Sequence, residues 1–324
     1  MATATKERYD IDLETTNRML SLIESTGSLP WVRGWDAGKN SPVNLVTRVT
    51  YKGANIFILA FEALAKGYET PYWLTVKQAR VKWGCPECKK ADKMPHFCKS
   101  GLCPVPRKGE KATVGVFYKP WFVEDKVTGE KVFRKTFANP FWVFNVAQFI
   151  EDRGVVAPAL EDRVFVPVLE CEEIGTKMAK GVKIDHIAQS QAFYRPSEDR
   201  IVLPLREQFH SQPMYYSTRF HEMVHSTGHG DRLNRPTLKD AVAFGDQNYS
   251  QEELVAELGA AMLCSSAGIA NAASEQNSAV YLKGWASKMK EDKKIFLNAA
   301  RASQRAVNYI LGETNSEKED GKEE

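Results

Sequence analysis

The sequence predicts an α+β fold divided into two domains, and three observations carry that prediction. Charge is split along the chain: residues 1–150 hold 23 Lys and Arg against 14 Asp and Glu, whereas the remaining 174 hold 21 against 27. Each half mixes segments with helical apolar spacing and segments that alternate like strands. Between them, Ile150–Glu161 contains Gly154 and Pro158 and reads as a connection. A chain of 324 residues is long enough for two cores. We therefore expect a first domain over 1–153, a linker over 154–163, a second domain over 164–312 and a disordered tail over 313–324. The tail is charged and has no apolar residue.

The first half opens with an expected helix, Asp12–Ser25, whose apolar positions are Leu13, Met19, Leu20, Leu22 and Ile23, with Pro30 to stop it. An aromatic stretch rich in turn residues follows, from Trp31 to Asn55. A second helix is expected from Asn55 to Ala65, ended by Gly67, and a shorter third over Thr75–Val81. Strand texture then appears at Ala112–Tyr118, Val132–Phe137 and Phe141–Phe144, with Val127–Glu130 as a hairpin turn. In the second half, strands at Gln191–Tyr194 and Arg200–Leu203 precede helices.

Hydrophobic residues make up 43% of the chain and charged ones 26%, which is ordinary for a soluble globular protein. No apolar run approaches the roughly 20 residues needed to span a bilayer, so no membrane partner is expected. Met1–Asp10 is polar and lacks the layout of a secretory signal, and a cytoplasmic location is the expectation. Four of the six cysteines fall in one window, Cys85, Cys88, Cys98 and Cys103. Without an export signal such clustering points to metal rather than disulfides. Four thiolates at this spacing suit a structural Zn2+ that would fold a polar loop over about 85–103. Cys171 and Cys264 stand apart and read as buried thiols.

The segment His221-Glu222-Met223-Val224-His225 carries the clearest chemistry. Two histidines four apart on a helix present both imidazoles to one ion, and the adjacent Glu222 can act as general base on a bound water. Phe220, Met223, Val224 and Thr227 supply the packing face, and Gly228 is placed to end the helix. A third ligand is required. Asp231 is one candidate; another is a glutamate on the helix expected after Ser250. There, Ser250 and Glu253 have the spacing of a capping box, which would occupy Glu253 and favours Glu257 as ligand. The expected catalytic centre is thus Zn2+ on His221, His225 and Glu257, with Glu222 as the base.

The basic half offers another chemistry. Single-stranded nucleic acid is held by rings that stack on bases while Lys and Arg track phosphates. Tryptophans 31, 35 and 73 lie among such cations in this half.

Taken together, the motifs resemble the antirestriction protein ArdC family. The resemblance rests on Pro30-Trp31, Trp35, Tyr51-Lys52-Gly53-Ala54-Asn55, Trp73-Leu74-Thr75-Val76-Lys77-Gln78-Ala79, Gly109-Glu110-Lys111 and Val143-Phe144-Asn145-Val146-Ala147-Gln148. In the second half it rests on Asp199-Arg200-Ile201-Val202-Leu203-Pro204, the histidine helix through His229, Arg232-Leu233-Asn234-Arg235 and Glu252–Ala260. The family pattern lacks the cysteine window, which reads as an insertion. The resemblance implies an N-terminal domain that binds single-stranded DNA and a C-terminal zincin-like metallopeptidase domain. It also implies an origin on a plasmid, phage or other mobile element and a role in protecting incoming DNA from host defence, with DNA-bound host proteins as candidate substrates. The candidate DNA contacts are Trp31, Arg33, Trp35, Lys52, Asn55, Trp73, Lys77, Gln78, Lys108 and Lys111.

Overall fold

Apolar spacing near the N-terminus becomes helix α1, Ile11–Thr26, in which Ile11, Thr15, Met19 and Ile23 form one buried stripe while Leu13 faces outward. A computed structural model describes residues 10–26, 41–86, 101, 103–124, 130–150, 153–158, 167–239, 247–269 and 279–313. Trp31, Arg33, Trp35, Cys88, Cys98, the expected turn at 127–129, the linker beyond 158 and the tail beyond Glu313 lie outside the described residues.

Helix α2, Ala54–Lys66, ends at Gly67 in the left-handed conformation, φ 67°, where its N–H and that of Tyr68 close on the last carbonyls. Helix α3, Val76–Trp83, starts with a capping box between Thr75 and Gln78. Four strands form the first sheet: β1 Val43–Asn44, β2 Tyr72–Leu74, β3 Thr113–Glu124 and β4 Lys131–Asn145, in the order β1-β2-β4-β3. The β1–β2 pair is parallel and the other two are antiparallel. The two strands expected at Val132–Phe137 and Phe141–Phe144 are one continuous β4, running through Pro140. That proline is tolerated because β2 reaches only Phe144 and Asn145, which leaves the far edge of β4 open at residue 140. Asn55 completes the edge of β3. Its amide donates to the Val116 carbonyl and accepts from the Val116 N–H, both at 2.7 Å.

The second half starts with α4, Pro167–Glu173, and a three-stranded sheet of β5 Lys183–Ile187, β6 Phe193–Arg195 and β7 Arg200–Pro204. The order is β5-β7-β6, with β5 parallel and β6 antiparallel to the central strand. Helix α5, Gln212–Thr227, is followed by a helical turn at Pro236–Lys239 and then by α6 Gln247–Ser266, α7 Ala279–Glu291 and α8 Ile295–Leu311. The Ser303 hydroxyl of α8 donates to the Val255 carbonyl of α6 at 2.8 Å and pins the two together.

One apolar cluster runs through both halves. Met19, Phe57, Phe61 and Val116 share it with Phe220, Leu254 and Phe296, and the rings of Phe57 and Phe296 meet edge-on with centroids 6.3 Å apart. The halves therefore join through apolar packing of α1 against α7 and α8 and of α2 against α8. No helix among the described residues is long and apolar enough to cross a membrane.

Candidate metal centre

Helix α5 is set by Ser211, whose hydroxyl accepts from the Met214 N–H, and by Pro213 in the first turn. Its buried face carries Tyr216, Phe220, Met223, Val224 and Thr227. Helix α6 crosses this face closely. A Cβ on Gly259 would lie 2.7 Å from Val224 Cγ2, so only glycine allows the approach. That approach brings three glutamates of α6 to the two histidines of α5.

The Nε2 atoms of His221 and His225 are 3.1 Å apart. Glu253 bridges them, Oε2 at 3.5 Å from His221 Nε2 and Oε1 at 3.4 Å from His225 Nε2. All three donors lie within 4.8 Å of one another. Ligands about 2.0–2.1 Å from a tetrahedral zinc stand about 3.3 Å apart, which is the spacing seen here. Two imidazoles and one carboxylate are also the donor set of a hydrolytic centre with a position left for water. The residues fit a divalent ion.

The geometry sets Glu253, rather than the expected Glu257, between the two Nε2 atoms. Helix α6 begins at Gln247, three residues before Ser250, so Ser250 is not its cap and Glu253 is free of the capping box. Glu257 sits one turn further on, half-buried, with Oε1 3.8 Å from Nδ1 of His221, on the side of the ring away from Glu253. Asp231 is exposed and pairs with Lys180 at 2.9 Å. Gly228 ends α5 as expected, but in a right-handed conformation, φ −74°. Its missing Cβ makes room for Arg235, whose Nη2 would stand 2.9 Å from it.

Arg235 and Glu252 were not singled out for any role by sequence reasoning. Arg235 forks onto Glu252 at 3.0 and 2.5 Å and also donates to the Val224 carbonyl and the Thr227 hydroxyl, closing the end of α5. Glu252 also takes the Thr237 hydroxyl at 2.6 Å and faces His225 Nδ1 at 3.3 Å. A carboxylate on the far nitrogen fixes the ring and directs Nε2 at the ion. The adjacent acids Glu252-Glu253, read with Arg232 and Arg235, are the signal that could have exposed this pair.

Electrostatics point the same way. Burial would raise the Glu252 carboxyl, but bonds from His225 and Arg235 prevail and hold it at about 2. Burial likewise opposes ionisation of Glu253, yet the two histidines hold it well below the usual carboxylate range. Burial disfavours charge on His225, but Glu253 and Glu252 raise its affinity for a proton well above the ordinary value. The cluster is built to hold positive charge. Glu222, also buried, is raised by desolvation and accepts a hydrogen bond from the Tyr194 backbone N–H of β6. Its neighbour strand is held by Arg232, which bonds Asp199 through both nitrogens, the Tyr194 hydroxyl at 3.3 Å and the Ser226 carbonyl at 2.7 Å.

The expected DNA contacts fare unequally. Trp73 is fully buried and packs with Leu59 and Val143, so it has no face for a base. Asn55 and Gln78 are engaged by the Val116 backbone and the α3 cap. Lys52, Lys77, Lys108 and Lys111 are exposed, with Lys52 3.3 Å from Glu313. Cys85 and Cys103 lie together, the Cys85 N–H donating to Cys103 Sγ at 3.1 Å. Cys171 and Cys264 are buried, and burial pushes the Cys171 thiol up to about 12.

Comparison with known proteins agrees with this architecture. Residues 9–144 match the N-terminal domain of anti-restriction factor ArdC, and residues 172–302 match a zincin-like metallopeptidase domain. The crystal structure of the antirestriction ArdC protein from plasmid R388, metal-free, superposes with a TM-score of 0.66 at 29% identity over 93% of this chain and 97% of that one. Its Mn(II)-bound form gives 0.66 at 27%, with the same coverage. Two DNA primase TraC proteins of Escherichia coli are 29% identical over 88% and 92% of the chain, which spans only 19% and 27% of their lengths. The uncharacterized protein y4eC of Sinorhizobium fredii (strain NBRC 101917 / NGR234) is 27% identical over 93% of the chain and 91% of its own length. With both domain matches in order along the sequence and an ArdC structure aligned to nearly all of it, the chain carries the fold and the domain order of the antirestriction ArdC proteins.

Proposed function

We propose that this protein binds single-stranded DNA through its first half and carries a zinc-type hydrolytic centre in its second, and that together they protect incoming DNA from host defence. The observation that carries the reading is the convergence of both Nε2 atoms and Glu253 on one point, with Glu222 beside it. His221, His225 and Glu253 would hold the ion. When bound, the ion supplies Lewis-acid polarisation of a substrate carbonyl and makes a water more acidic. Glu222 takes the proton of the attacking water and returns it to the leaving amine. The Tyr194 N–H aims the carboxylate. Arg235 and Glu252 hold His225 in register throughout. The juxtaposition of Cys85 with Cys103 supports a second, structural zinc on the cysteine window, completed by Cys88 and Cys98.

Two measurements test the proposal. Elemental analysis is expected to give two metals per chain, one lost in His221→Ala and the other in Cys85→Ser. Replacing Glu222 with Gln is expected to keep the metal and abolish protection of unmodified DNA entering a restricting host, with any protein cleavage falling by about 100-fold or more. The basic first half favours a second reading, in which the protein shields DNA without proteolysis. Protection that survives Glu222→Gln unaltered would establish that reading.

A further inference from the structure

The β3–β4 hairpin is longer than the sheet that supports it. Strand β2 pairs only with Phe144 and Asn145, so from Val143 outward β3 and β4 form a two-stranded ribbon. Such a ribbon gains little stability from exposed rings, yet Trp121 is 46% exposed, Phe122 48% and Phe133 53%. Strand periodicity and register sort the side chains. Phe141 lies across Gly115, where a Cβ would come within 2.3 Å of the ring, and stacks against Tyr51 at 6.2 Å and 10°. Outward on the same face come Phe117, then Lys119 opposite Phe137, then Trp121 opposite Lys135. Phe117 meets Phe141 at 6.4 Å and Trp121 meets Phe137 at 6.0 Å. The Lys135 ammonium stands 4.4 Å from the Phe137 centroid and 5.7 Å from that of Trp121. Alternate residues Val116, Tyr118 and Ala138 pack on the main core, which leaves this row on the opposite face. Near the tip a bulge makes Arg134 the extra residue between Phe133 and Lys135.

We propose that this face of the hairpin is a track for single-stranded DNA, with Phe117, Phe137 and Trp121 as stacking rings and Lys119 and Lys135 as phosphate partners. The assignment rests on the DNA-binding reading above and names its surface. Charge selects the occupant. Among the described residues of the two strands, Lys119, Lys131, Arg134 and Lys135 outnumber Glu124. A protein partner or a second copy of the chain would have to desolvate lysines set among the rings, and interface cores are depleted in Lys. A single strand instead supplies anions and flat π faces together, and base–ring stacking is indifferent to sequence. A duplex keeps its bases stacked on one another and offers these rings nothing.

The test is fluorescence anisotropy of a short labelled oligo-dT, and of a duplex of equal length, titrated with the full-length protein across a salt series. Trp121→Ala and Phe137→Ala are each expected to weaken oligo-dT binding at least about fivefold. The double variant Lys119→Gln/Lys135→Gln should lower the slope of log K against log salt by about 1.4, as expected for two lost phosphate contacts. Trp142→Ala serves as the control: this exposed ring lies opposite Val114, on the other face, and should leave binding unchanged. Thermal melts check that each variant is folded. Ring and lysine variants that bind like the parent overturn the track, as does an equal loss in Trp142→Ala or an equal affinity for the duplex. A ring variant that turns a dimer into a monomer in sedimentation without altering DNA affinity would make the face a self-association surface instead. Should the parent protein itself fail to bind oligo-dT, the DNA-binding function falls and this assignment with it.

Discussion

At the metal centre Glu252 alone takes bonds from Arg235 and Thr237 and faces His225, whereas along the outer hairpin Trp121 and Lys135 meet each other and solvent. The difference suits what each region is proposed to hold. An ion about 2 Å from its ligands would tolerate little displacement, and here His225 is buried, His221 is half-buried and buried Glu252 and Arg235 fix the pair. A polymer that slides along rings and ammonium groups tolerates variation, and exposure is what admits it. Removing a buried partner should therefore damage the fold itself, whereas removing an exposed one should damage binding and leave stability nearly intact.

The largest expected effect sharpens that contrast. Arg235→Leu leaves Glu252 buried without its main cation and should lower the unfolding free energy by about 3–5 kcal/mol in urea titration. A change below 1 kcal/mol would break the comparison, because the centre would then be no better supported than the surface. Next come the carboxylates. Glu253→Gln should weaken metal binding by more than about 100-fold in competition with a chromophoric chelator, and Glu257→Gln by only about tenfold. The reverse order would return the third-ligand role to Glu257.

A smaller effect concerns acid. Arg232 holds the Asp199 carboxyl below its ordinary value, against the opposing pull of burial. The unfolded chain therefore binds that proton first as pH falls. The stabilisation is complete above the ordinary carboxylate pKa of about 3.9 and is lost as pH drops through the lower folded value. Asp199→Asn, which also suits the left-handed φ of 46° there, should flatten the acid limb of melting temperature against pH. The smallest effect belongs to the surface. Lys52 and Glu313 are about half exposed, so Lys52→Gln should change stability by less than about 1 kcal/mol.

Much of the fold could be read before the structure. Helices α1, α2 and α3 lie within one or two residues of their expected ends, because apolar stripes and turn residues such as Gly67 act locally. The two histidines on one helical face were equally legible from their spacing. Polar side chains were less so. Asn55 and Gln78 look like surface contacts until Val116 and the start of α3 appear beside them with unpaired backbone groups to satisfy. Trp73 is as aromatic as Trp121, and only the packing of Leu59 and Val143 over it separates core from platform. The length of β4 was hidden by Pro140, whose tolerance depends on where β2 stops.

By itself, then, the sequence determined the α+β character, the basic and acidic halves and the pair of imidazoles with Glu222 between them. Each of these depends on residues near one another in the chain. Which glutamate faces both Nε2 atoms was decided by tertiary structure. Glu253 and Glu257 are four apart and share a face of α6, and what separates them is the point at which Gly259 lets that helix close on Val224. That point is fixed by the packing of the whole core, which no local pattern encodes.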